Sequence, residues 1–174
     1  MNDTTQNEHS IDLMSVGNDG NQFLTFMLAG EEYGVDILRV QEIKGWDTVT
    51  KIPNTPEYIR GVINLRGTIV PIIDLRLRFN LEQLDYGVTT VVIVVKVVSD
   101  GEKERTMGIV VDAVSDVYNI SSDDFKEAPD FGTAVDTDYV KGLSTVNEKM
   151  VILLDIDHMC NSAELKVIDS IAES

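Results

Sequence analysis

The chain repeats itself, and that restricts its fold more than any other feature. Tyr58-Ile59-Arg60-Gly61 returns as Tyr139-Val140-Lys141-Gly142, and thirteen residues beyond each glycine stands an aspartate, Asp74 or Asp155. Each aspartate closes an apolar run, Ile69-Val70-Pro71-Ile72-Ile73 in one copy and Met150-Val151-Ile152-Leu153-Leu154 in the other. Upstream, Gly34-Val35 followed by Val40-Gln41-Glu42-Ile43 pairs with Gly108-Ile109 followed by Val114-Ser115-Asp116-Val117. Self-similarity of this kind marks a structural unit built twice. Features common to both copies belong to the fold. Function is sought in what one copy alone carries, chiefly Asn64-Leu65-Arg66-Gly67.

The local patterning is mostly β. Phe23–Leu28 and Tyr33–Ile37 flank a polar, glycine-containing turn and read as a hairpin. Its counterpart runs from Thr90 to Val98 and returns at Met107–Val111. The unbroken Val91-Val92-Ile93-Val94-Val95 run predicts a strand buried on both faces, or covered by the other repeat, since left open it would aggregate. Short strands follow at Val40–Ile43 and Val117–Ile120. A second hairpin, Gly61–Leu65 with Thr68–Ile73, turns at Arg66-Gly67. Asp74 and Asp155, each at a strand end, are expected to cap short helices by accepting from free backbone N–H groups. About ten short strands in two repeats predict a mainly β protein of paired small barrels, with strand exchange between the halves as an open alternative. Residues 1–21 read as a disordered tail, 22–89 as the first barrel repeat, and 90–174 as the second. That second repeat ends in an amphipathic helix marked by Leu165, Ile168 and Ile171.

Charge removes several function classes. With 14 basic and 30 acidic side chains the net charge is -16, so a phosphate backbone or an anionic membrane surface would be repelled. The imbalance is uneven: residues 23–86 carry nine acids and seven bases, residues 87–174 seventeen acids and seven bases. The first repeat is the less repulsive face for an acidic partner. A single cysteine, Cys160, excludes an internal disulfide and fits a reducing cytoplasm. No signal peptide is visible, and no apolar run approaches the roughly 20 residues of a spanning helix. The chain reads as soluble and intracellular.

No catalytic constellation appears. There is no phosphate-cradling Gly-rich loop and no nucleophile elbow. His158 and Cys160 are the only close His/Cys pair, and two positions apart on a helical segment they point to different faces. No further ligand completes a metal site, so Cys160 reads as a partly buried thiol beside a surface His158. Asp123-Asp124-Phe125-Lys126-Glu127 lacks the alternating oxygen ligands and central glycine of a calcium loop. We expect no enzyme, no cofactor and no metal.

Two residues stand out once the repeats are aligned. Arg66 sits at a hairpin tip where the second repeat has Asn147, and a turn has no backbone need for arginine. A guanidinium there is either a solvated turn residue or an anchor for a partner carboxylate or carbonyl. Glu42 lies in a strand whose alternation places Val40 and Glu42 on one face and Gln41 and Ile43 on the other. That arrangement would present an exposed apolar-plus-acid patch, although Asp116 at the equivalent position favours an ordinary strand edge.

The motifs Gly34-Val35-Asp36-Ile37-Leu38, Val40-Gln41-Glu42-Ile43, Ile52-Pro53-Asn54-Thr55-Pro56, Ile59-Arg60-Gly61-Val62-Ile63-Asn64-Leu65-Arg66-Gly67, Ile69-Val70-Pro71-Ile72-Ile73-Asp74-Leu75 and Gly108-Ile109-Val110-Val111-Asp112 closely resemble the CheW family. These are coupling proteins of bacterial chemotaxis, and the likeness spans residues 22–171. It implies two SH3-like five-stranded barrels and a non-enzymatic adaptor. Such an adaptor joins the cytoplasmic tips of chemoreceptors to the regulatory domain of the histidine kinase CheA, in arrays at the inner face of the membrane. Carried over by motif, Glu42 and Arg66 would face the receptor. Val40 and Gly61 would lie on the kinase-binding face of the first barrel, and Phe131 on the second-barrel surface that closes rings with the kinase. An adaptor of another chemosensory pathway is the nearest alternative. A small-barrel ligand-binding protein is the alternative from a different class.

Overall fold

The computed structural model describes residues 21–82, 85–98, 104–126 and 139–160. Among the described residues ten strands form two five-stranded sheets. In chain order they are β1 (Asn21–Leu28), β2 (Glu31–Asp36), β3 (Val40–Gly45), β4 (Ile59–Leu65), β5 (Thr68–Asp74), β6 (Val91–Val98), β7 (Glu104–Val111), β8 (Ala113–Ile120), β9 (Val140–Val146) and β10 (Lys149–Leu154). One sheet has the order β8-β1-β2-β10-β9 and the other β3-β6-β7-β5-β4. Shifting every strand by five positions converts one order into the other, so the sequence repeat is a structural repeat.

The sheets do not coincide with the repeats. Each takes its first hairpin from one repeat and its other three strands from the other. The mid-chain barrel, β3 to β7, is contiguous in sequence, whereas the chain-end barrel joins β1 and β2 to β8, β9 and β10. Strand exchange, left open by the sequence, is the arrangement found. In both barrels the graft is made by one parallel pair, β2 with β10 or β5 with β7, and one antiparallel pair, β1 with β8 or β3 with β6.

Three apolar clusters follow from this. Val70, Ile72, Val92, Val94 and Val110 fill the mid-chain barrel, and Phe23, Ile120, Val151 and Leu153 fill the chain-end barrel. The third and largest lies between the barrels, with Leu24, Phe26, Leu28 and Val35 meeting Ile93, Val95, Val97, Ile109 and Val111. Strand β6 serves two cores at once, which is why its valines are uninterrupted: even positions face the barrel interior and odd positions face the other sheet.

The two aspartates cap as expected. Asp74 accepts from the Arg76 and Leu77 amides ahead of the single helical turn α1 (Leu75–Arg78). Asp155 accepts from the His158 amide ahead of α2 (Ile156–Met159). The amide of each aspartate bonds back to the repeat tyrosine, Asp74 to Tyr58 at 2.8 Å and Asp155 to Tyr139 at 2.9 Å. The expected C-terminal helix and residues 1–20 of the expected tail lie outside the described residues, whereas Asn21, assigned to that tail, opens β1 opposite Ile120.

Candidate functional site

Arg66 and Glu42 come together. The β4–β5 hairpin turns through Arg66 (φ +52°) and Gly67 (φ +90°), and Asn64 Oδ1 accepts from the Gly67 amide at 2.8 Å. This left-handed region costs a non-glycine residue about 1 kcal/mol or more, and asparagine tolerates it best. The matching turn accordingly has Asn147 at the same angle. Arg66 is therefore at a position the backbone would give to glycine or asparagine. Its side chain is 72% exposed, and its guanidinium donates to Glu42 Oε1. That hydrogen bond holds the Glu42 carboxyl below the ordinary glutamate range. The contact joins side chains from the two ends of the sheet, β3 and the β4–β5 hairpin. In the chain-end barrel Asp116 has no such partner among the described residues, and its carboxylate accepts from the Val117 amide at 2.8 Å.

The shared face expected for Val40 and Glu42 is corrected by a β-bulge. Val40 pairs with Val95 and Glu42 with Val94, so Gln41 is an extra residue against one step of β6. Val95 faces the inter-barrel core and Val94 the barrel interior. Val40 is thus half-buried against the central core, while Glu42 points to the barrel side where Arg66 meets it. The exposed apolar residues of this edge are Ile43 and, in the 3-10 turn before β3, Leu38 at 76% exposure. Strand alternation could not show this, because one inserted residue flips every face beyond it.

Gly61 has a backbone duty. It sits at φ +143°, and a Cβ there would lie 2.3 Å from the Thr50 carbonyl oxygen. Thr50 and Val62 exchange two backbone hydrogen bonds at 2.9 Å, sealing the edge of β4. Gly142 lies against Lys126 in the same way, with a looser 3.2 Å approach. Phe131 lies outside the described residues.

Nothing in this site resembles reaction chemistry. Among the described residues no group of three or more His, Cys, Asp or Glu is placed to hold a metal ion. Cys160 is fully buried, which pushes its thiol up to about 12, and His158 is exposed. Among the described residues no helix is long and apolar enough to cross a membrane.

Two fused barrels with an exposed, charged hairpin tip and an apolar edge define an interaction module. Comparison with known proteins gives the family. The chain matches the CheW-like domain over residues 22–164. It is 48% identical over 155 residues to the chemotaxis protein CheW of Klebsiella aerogenes, covering 89% of this chain and 90% of that one. With its Rhizobium meliloti counterpart it shares 34% over 147 residues, covering 84% and 92%. The crystal structure of the scaffolding protein TtCheW from Thermoanaerobacter tengcongensis superposes with a TM-score of 0.73 at 34% identity, covering 83% of this chain and 90% of that chain. The chain belongs to the CheW family and is a non-enzymatic chemotaxis scaffold built on two SH3-like barrels.

Proposed function

We propose that this scaffold couples the cytoplasmic tips of chemoreceptors to the histidine kinase CheA, at arrays on the inner face of the membrane. Glu42 and Arg66 face the receptor. Val40 and Gly61 belong to the kinase-facing side of the mid-chain barrel, with Leu38 and Ile43 as its exposed apolar contacts. Phe131 belongs to the second kinase surface.

The observation that carries this reading is Arg66: an exposed guanidinium, held at φ +52° where the twin turn has asparagine, and oriented by Glu42. A strained backbone position filled by a costlier residue points to a use for its side chain. The mechanism is linkage. Two partners bound on separate faces exchange differences in binding free energy, and lattice assembly supplies avidity to modest contacts.

The test is co-sedimentation of CheA with receptor-containing membranes, without this protein, with wild type, and with Arg66→Ala. Kinase in the pellet with wild type alone supports both the coupling role and the place of Arg66 in it. Equal recovery with the variant would return Arg66 to a plain turn residue, and recovery with neither would refute the coupling role. Phe131→Ala is expected to keep one-to-one kinase binding while impairing array formation.

A further inference from the structure

The open end of the chain-end barrel has a charge arrangement that its twin lacks. Register aligns Met27, Glu32, Val151 and Ser144 in one row across β1, β2, β10 and β9. Val151 belongs to that barrel's core, and residues opposed in register share a face, so Met27 and Glu32 lie on the inner side at the rim. Glu32 is 8% exposed as a residue, its carboxylate opens on the barrel rim, and no described residue makes a hydrogen bond or ion pair to it. It lines a groove of about 260 Å³ with Met27, Gly30, Glu31, Lys149 and Met150. At the far end of the same row the Ser144 hydroxyl is buried and also lacks a partner.

A carboxylate that opens on a groove with no cation or donor bonded to it offers a charge-assisted contact to an incoming cation, and the fold does not require it here. The equivalent positions of the mid-chain barrel carry Lys96 for Met27, Arg105 for Glu31 and Thr106 for Glu32. There Lys96 pairs with Glu104 at 3.6 Å. The groove is apolar as well as acidic: Met150 is 54% exposed, and methionine adapts to varied apolar partners.

We propose that this groove docks a basic amphipathic segment of a partner protein, its lysine or arginine head on Glu32 and its apolar flank on Met27 and Met150. Charge complementarity favours this occupant, since the described parts of the chain-end barrel, residues 21–36, 113–126 and 139–160, hold nine acids against three bases and draw in cationic segments. Lys149 on the groove wall limits the site to one cation rather than a run of them. The inference does not rest on which faces the receptor and CheA take.

The full chain, labelled at its methionine methyls, is titrated to millimolar excess with a short capped peptide carrying one arginine between leucines. A twin peptide has citrulline in place of arginine. The Met27 and Met150 methyls should shift and saturate while those of the buried Met107 and Met159 stay put. Citrulline, and separately Glu32→Gln, should each weaken binding about tenfold, the scale of one charge-assisted contact. Because Glu32→Gln alters a buried site, Met150→Ser at the exposed rim gives a second variant expected to weaken the peptide with the melting temperature unchanged. Unmoved methyls, an equal response to citrulline, or two folded variants with wild-type affinity would each overturn the proposal. So would methyl shifts produced by raising protein concentration alone, which would make the occupant another molecule of this chain.

Discussion

Arg66 shows how one residue can serve two requirements that conflict. Its backbone angle suits glycine or asparagine, yet its guanidinium reaches Glu42 and solvent. Arg66→Gly should therefore keep or raise stability by about 0.5–1 kcal/mol in urea unfolding while abolishing receptor coupling. A variant that both unfolds more easily and loses coupling would assign Arg66 to the fold. The pair also makes a prediction in pH. The Arg66 hydrogen bond holds Glu42 below its ordinary range, so the folded pKa is the lower one. Its stabilisation is full above the unfolded value and disappears as pH falls through the folded one. In Arg66→Ala, carboxyl NMR should find Glu42 titrating in the ordinary glutamate range, and an unchanged titration would disprove the link. The arginine was legible in the sequence as a departure from its own repeat. The facing of Val40 was not, because the bulge at Gln41 leaves no mark in the pattern of apolar and polar residues.

At the scale of elements, each repeat builds the same devices. Both have a bulge at the start of their third strand, Gln41 against β6 and the Ser115–Asp116 step against β1. Both have a glycine where a loop seals the fourth strand, Gly61 and Gly142. They differ in tightness. Gly61→Ala must displace the Thr50 carbonyl and adopt a left-handed angle, so it should cost about 3 kcal/mol in denaturant unfolding. Gly142→Ala has no left-handed angle and a 3.2 Å contact, and should cost about 1 kcal/mol. Equal costs would mean the seal at β4 gives way freely. It follows that loss of kinase binding on substituting Gly61 reports the seal as well as any contact, and that exposed Leu38 and Ile43 are the cleaner probes of that face.

Across the whole molecule the halves are locked by two ion pairs of opposite polarity. Arg76, two residues past Asp74, forks onto Asp112 at 2.9 and 2.8 Å, while Asp157, two past Asp155, receives Arg39 at 2.8 and 2.7 Å. Arg78 adds a pin, stacked 4.9 Å from the Tyr58 ring and 4.6 Å from the Tyr139 ring, the two tyrosines that announce the repeat. Burial pushes the Asp112 carboxyl up, but Arg76 and the Ala29 amide outweigh it and hold it below the ordinary aspartate range. A double-mutant cycle on Arg76 and Asp112 should give about 1–2 kcal/mol of coupling at neutral pH. That coupling should shrink as pH falls through the folded Asp112 value, since a depressed carboxyl loses its contribution on protonation; a cycle flat in pH would remove the lock. Because β1, β2, β3 and β5 all find partners in the other repeat, residues 22–89 alone should be unfolded by circular dichroism. A folded fragment would contradict the exchanged topology. The sequence by itself determined the mainly β character in about ten short strands, the twofold repeat, the capping aspartates and the odd arginine, since periodicity, turn chemistry and caps act over a few residues; β9 (Val140–Val146) was marked only by its place in the repeat. Only the tertiary structure decided which repeat supplies each strand, which way Val40 faces and that Glu32 opens on a groove between β1, β2 and β10, because these depend on pairing between segments far apart in the chain.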